Sequence, residues 1–145
     1  MTNDWLNILF RLCIALLSGA IIGLERQLRH KPAGLRTHML VSLGSALFTL
    51  IPLYTDGMQA NADALSRVIQ GIAAGIGFLG AGEILRESSN ESQRAEVHGL
   101  TSAAAIWVSA ALGIAAGCNL WQLSLTGAAL TFLVLNLFKV LERWN

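Results

Sequence analysis

The chain has 145 residues, enough for one compact unit, and 54% of them are hydrophobic while 13% are charged, about half the charged share of a soluble domain. With a net charge of +1 and no basic tail it offers no electrostatic footprint for nucleic acid. Its two cysteines are too few for a disulfide framework, and both Cys13 and Cys118 are expected to be unpaired.

The first apolar block is Trp5–Leu24. Asp4 stands where a cleaved signal would carry basic residues, and Arg11 lies within the block, so a retained helix is expected. Gly19 and Gly23 near its end form a small-xxx-small pair suited to close helix contact. A polar stretch, Glu25–Thr37, follows. Glu25 and Arg29 are four apart, the spacing of a helical ion pair. Pro32 and Gly34 should stop the helix, and Thr37 is a candidate cap for the next one. Arg36 falls at a helix N-terminus, where the macrodipole disfavours a cation. An acidic partner is therefore expected there: Glu25 across the turn, a lipid phosphate or another protein.

The second block is His38–Tyr54 and the third Val68–Leu85. The third holds Gly71, Gly75, Gly77, Gly80 and Gly82, which is dense even for a membrane helix. Its Gly71-Ile-Ala-Ala-Gly75 recurs as Gly113-Ile-Ala-Ala-Gly117 in the fourth block. The two copies fall at the same depth on antiparallel spans and are expected to pack on each other. From Gly99 to Phe138 there is no Asp, Glu, Lys or Arg. As one helix that run would be roughly 60 Å long, twice the hydrocarbon thickness. It must fold back, and Gly117-Cys118-Asn119 is the natural turn between the fourth block, Leu100–Cys118, and the fifth, Leu120–Val140.

The expectation is an all-α membrane protein: a single transmembrane domain over residues 1–145, a bundle of five helices spanning about 5–24, 38–54, 68–85, 100–118 and 120–140. Helices are required because lipid offers no partner to an unpaired amide. Arg26, Arg29, Lys31, Arg36, Arg86, Arg94, Lys139 and Arg143 fall on one side, and only Arg11 and Arg67 on the other. That asymmetry puts the N-terminus outside and the C-terminus in the cytoplasm.

No HExxH, CxxC pair, P-loop or Gly-x-Ser-x-Gly element is present, so no enzyme, metal site or cofactor is expected. His30, His38 and His98 all fall at predicted cytoplasmic boundaries, where interfacial solvation is their expected role. Two ionisable residues lie within spans, Arg11 and Glu83, each expected to snorkel to its nearer interface, with Gln70 an alternative partner for Arg11.

Gly19-Ala-Ile-Ile-Gly23-Leu-Glu25-Arg26-Gln27, then Ala33-Gly34-Leu35-Arg36-Thr37 and Leu40-Val41-Ser42-Leu43-Gly44, resembles the MgtC/SapB family of bacterial membrane proteins. The match continues through Gly75-Ile-Gly77-Phe-Leu-Gly80-Ala-Gly82 and Val97-His98-Gly99-Leu100-Thr101-Ser102-Ala103-Ala104-Ala105-Ile106-Trp107. The resemblance implies a multi-pass inner-membrane protein linked to low-magnesium survival, acid tolerance and, in pathogens, virulence. It also implies action by contact with other inner-membrane proteins, ATP synthase or a transport ATPase among them. A second copy of the chain is a further candidate partner. The best-studied members carry a soluble C-terminal domain that has no counterpart in these residues. Thr101 stands where the best-known member has Asn, and Glu83 where the family is often apolar.

Two readings follow. The glycine-rich spans and the polar junction of Glu25, Arg26, Gln27, Gly34, Arg36 and Thr37 support a regulator working by helix–helix contact. A small cation or proton transporter would instead need a polar lane through Arg11, Gln70, Glu83, Thr101 and Ser102, with Ser109 and Asn136 beside it.

Overall fold

The computed structural model describes residues 2–55, 58–89 and 98–142. They form five helices: α1 (Thr2–Leu28), α2 (Leu35–Thr55), α3 (Met58–Ser89), α4 (Leu100–Gly117) and α5 (Trp121–Glu142). No strand occurs among the described residues. Each apolar block lies on its own helix. Helices α1, α2 and α3 extend beyond their blocks at both ends, most of all α3, which begins ten residues before Val68, whereas α4 ends one residue short of its block. In α1 to α4 the apolar helix is long enough to cross a bilayer. In α5 the apolar stretch among the described residues is Trp121–Leu137, within a helix of 22 residues. Arg94, Val97 and Arg143 lie outside the described residues, as do the side chains of Arg86 and Lys139.

The helix ends have local causes. Helix α1 stops on His30 in the left-handed conformation (φ 55°), with Lys31 N bonded to Arg26 O and His30 N to Gln27 O. Helix α4 stops the same way on Asn119 (φ 64°), with Leu120 N bonded to Ala115 O and Asn119 N to Ala116 O. Both are Schellman ends, which satisfy carbonyls the helix leaves open. The expected turn at Cys118-Asn119 is therefore present. Gly99, at φ 87°, opens α4 in a backbone conformation that favours glycine.

The bundle runs up and down, and α4 is its most buried spanning helix, packed against all four others. Two apolar clusters carry the core: Ile14, Ala15, Ala46 and Ala116 towards one end, and Ile22, Ala105, Leu112 and Ala128 towards the other. The residues are mostly small because the helices nearly touch. A Cβ at Gly19 would sit 2.6 Å from the His38 carbonyl oxygen, and one at Gly117 would sit 2.9 Å from Thr49 Cβ. At Gly113 a Cβ would overlap the Ser42 carbonyl itself. Lipid supplies no hydrophobic drive between helices, so such close contact and interhelical hydrogen bonds hold them. Ser42 Oγ donates to Ala15 O (2.7 Å), joining α2 to α1. Ser124 Oγ donates to Leu112 O (2.9 Å), so its 2.8 Å partner Ser18 must be the donor to it, and α1, α5 and α4 are tied in one chain.

The repeated glycine motifs do not meet. Gly113 and Gly117 pack on α2, at Ser42 and at Ala46 and Thr49, while Gly71 and Gly75 have nothing within 4 Å. Equal depth was the only basis for pairing them, and α3 has rotated those glycines away from α4. It meets α4 instead at Gly80, 3.3 Å from Ala103 Cβ. Gly77 and Gly82 likewise face open space.

Candidate functional site

The last two turns of α1 carry a buried polar knot. Glu25 and Arg26 are each only 4% exposed. Arg29 Nε pairs with Glu25 Oε1 one turn away, and Arg26 Nη1 lies 3.9 Å from Oε2. Neither carboxylate oxygen receives a well-aligned hydrogen bond, so the contact is electrostatic. Both arginines then reach across the bundle: Arg26 Nη2 donates to Ser102 Oγ on α4, and Arg29 Nη2 to Asn136 Oδ1 on α5, each at 2.5 Å. Gln27 Oε1 accepts from Leu35 N (3.1 Å) and so caps α2 from eight residues upstream. Gly34 lies against the Gln27 side chain, where a Cβ would be 3.1 Å from Oε1.

His38 belongs to this knot, which sequence reasoning missed. It is fully buried rather than solvated at an interface. Gly23, whose Cβ would lie 3.2 Å from His38 Cβ, makes the room. Because a carbonyl only accepts, His38 Nδ1–H donates to Gly34 O (2.9 Å), and Nε2 has no partner among the described residues. The small-xxx-small pair on α1, one turn before Glu25, was the available signal.

Several expected contacts are not made. Arg36 is exposed and does not pair with Glu25, because the closer Arg29 takes that carboxylate within α1. It instead lines a shallow polar cup with Gln27, His30, Lys31, Pro32, Gly34, Leu35 and Thr37. Thr37 is not a cap, since α2 begins two residues earlier at Leu35. Arg11 does not meet Gln70: its Nη1 donates to Gly117 O (2.9 Å) and its Nε to Asn7 Oδ1 (2.8 Å), while Gln70 bonds Ser66 on its own helix. Cys118, the next residue after Gly117, is half-buried. Both cysteines are free. Glu83 is only 9% exposed, and its Oε1 has no hydrogen-bond partner among the described residues. The polar lane is not assembled: Thr101 and Gln70 are exposed, Ser102 is held by Arg26, Asn136 by Arg29, and Ser109 bonds back to Ala105 O.

The second feature is a groove of about 560 Å³ between α2 and α3. Leu40, Val41, Gly44 and Phe48 form one wall, and Val68, Gly71, Ile72, Gly75, Ile76 and Leu79 the other. Gly44, Gly71 and Gly75 meet nothing within 4 Å, so the floor is bare backbone. The groove exists because α3 leans on α4 and touches α2 less, leaving it the least buried of the four spanning helices.

Close-packed apolar helices, seamed by glycine and by interhelical hydrogen bonds, define a multi-pass helical membrane protein. The chain belongs to the MgtC family, whose model matches residues 12–144. It is 53% identical to "Protein SrpB" of Synechococcus elongatus over 97% of this chain and 80% of that protein. It is 40% identical to "Putative magnesium transporter YhiD" of Escherichia coli K12 over 92% of the chain, and 44% identical to "Protein MgtC" of Salmonella typhimurium over 75%. The matched regions cover 61% of YhiD and 42% of MgtC, so both relatives are considerably longer than their match to this chain. No solved structure matches.

Proposed function

We propose that this chain is an inner-membrane regulator, without enzymatic activity or cofactor, that serves adaptation to low magnesium or acid stress. It acts by receiving a transmembrane helix of a partner membrane protein in the groove between α2 and α3. The observation that carries this reading is the contrast among the glycines. Gly19, Gly23, Gly113 and Gly117 are filled by neighbouring helices, whereas Gly44, Gly71 and Gly75 line an apolar groove and touch nothing. Small residues on a membrane helix serve close backbone approach. The buried knot supports the reading by holding α1 rigidly against α4 and α5, so that the groove has a fixed frame.

The test fills the groove. Gly71→Leu with Gly75→Leu is expected to insert and melt as the wild type does, because both positions open onto empty space. The same variant is expected to lose complementation of low-magnesium growth in a strain deleted for the gene. Full complementation by it would remove the groove from the function. For orientation, the basic asymmetry supports a cytoplasmic C-terminus. A reporter fused after Asn145 is expected to read cytoplasmic and an N-terminal tag external; both ends on one side would overturn that arrangement.

A further inference from the structure

The turn between α1 and α2 sits where the chain leaves the bilayer and re-enters it. The first spanning helix ends at Leu28 and the second begins at Leu35. Leu28 is 77% exposed and Leu40 is 66% exposed, and leucines so placed on spanning helices face acyl chains. The polar cup between them, of about 470 Å³, therefore opens at the level of the lipid phosphates. It carries the charges of Lys31 and Arg36 and the hydroxyl of Thr37, with no acidic side chain among its lining residues. The backbone adds donors. Helix α2 begins at Leu35, so the amides of its first turn have no carbonyl within the helix. Gln27 Oε1 takes that of Leu35, which leaves those of Arg36 and Thr37, two residues of the cup.

We propose that the cup binds the phosphate of an anionic membrane lipid, held by the Arg36 guanidinium and the first turn of α2, with Lys31 adding charge. The inference goes beyond the helix-docking reading and does not depend on it. An anion here resolves the conflict of a cation placed at a helix N-terminus, because it pairs with Arg36 and accepts from the helix at once. Glu25 was the acid within reach in sequence, and Arg29 takes it. The fork of arginine suits the oxygens of a phosphate. The anion is a lipid because Leu40 lies one turn beyond Arg36 on the same face of α2. A phosphate on the guanidinium leaves its acyl chains beside that exposed leucine.

The experiment uses the full chain in nonionic detergent, with retained lipid counted by native mass spectrometry. The probes are phosphatidylglycerol, phosphatidylcholine and inorganic phosphate. The wild type is expected to retain one phosphatidylglycerol, bound at least about tenfold more tightly than phosphatidylcholine, whose choline brings a further cation to a positive cup. Arg36→Gln should lower phosphatidylglycerol to the phosphatidylcholine level, and it should fold, because Arg36 is exposed. Arg67→Gln, an exposed arginine on α3 outside the cup, should change nothing. Equal retention of the two lipids by the wild type, or full retention by Arg36→Gln, overturns the proposal. An equal loss in Arg67→Gln overturns it too, by reducing the cup to general surface charge. Displacement by inorganic phosphate or by a Glu-rich peptide at matched ionic strength would assign the cup to a soluble anion or an acidic protein segment, and either result sinks the lipid assignment. Gly75→Leu, which fills the groove, should retain phosphatidylglycerol as the wild type does, so a failed docking reading leaves this one standing. Loss of the lipid in that variant would place it in the groove and overturn the cup.

Discussion

Gly113→Ala is expected to destabilise the bundle by about 3 kcal/mol, the upper end of the usual cost of overpacking, while Gly75→Ala leaves its melting unchanged. Both glycines sit in the same five-residue motif, so composition cannot separate them. At Gly113 the added methyl would overlap the Ser42 carbonyl, with Ser42 C and Cα also closer than 3 Å. Those are backbone atoms and cannot rotate aside. Helix α2 cannot slide away either, because Ser42 Oγ is bonded to Ala15 O and Gly19 presses on the His38 carbonyl from the other flank. At Gly75 the same methyl enters the open groove. Thermal melts in detergent decide it. An Ala at Gly113 that melts like the wild type would mean that α2 and α4 do not cross there.

That pair also shows what could be read in advance. Membrane helices follow from a local requirement, the pairing of every amide within its own segment, so the five elements were evident from hydropathy and charge. The Glu25–Arg29 pair was readable for the same reason, since a spacing of four is a property of one helix. Close contact at Gly19 and Gly23 was legible too, but which helices meet at the other glycines and polar groups depends on how the helices are rotated, and that was not. A glycine shows that a backbone can approach, but not which one, and Gly71 and Gly75 were assigned to the wrong neighbour. Gln27, not Thr37, caps α2, because the chain folds back through Pro32 and brings a side chain from the previous helix. Arg26–Ser102 and Arg29–Asn136 join residues 76 and 107 positions apart, beyond any local pattern. His38 looked interfacial because it adjoins a basic loop. Its burial depends on the missing side chain of Gly23 on another helix.

The knot itself yields the second large expected effect. Arg29→Ala is expected to cost about 3 kcal/mol, the range for stranding one member of a buried ion pair, and Glu25→Gln about 1 kcal/mol. The asymmetry comes from exposure. The Arg29 side chain is 30% exposed and can turn towards water once Glu25 is neutral, whereas the Glu25 side chain is 3% exposed and has nowhere to go. Without Arg29 its remaining cation is Arg26 Nη1 at 3.9 Å, and that guanidinium is already held by Ser102. Arg29→Ala also frees Asn136 Oδ1, but Asn136 keeps its bond to Phe132 O on its own helix, so that loss is small. The double variant Glu25→Gln with Arg29→Ala should therefore be more stable than Arg29→Ala alone, because no unpaired carboxylate remains. Denaturation in mixed micelles measures all three, and salt should change the wild-type value little, since a buried pair is screened much less than a surface one. Additive losses in the double variant would mean that Glu25 and Arg29 act independently. The knot would then be held by Arg26–Ser102 and Arg29–Asn136, with the carboxylate a bystander.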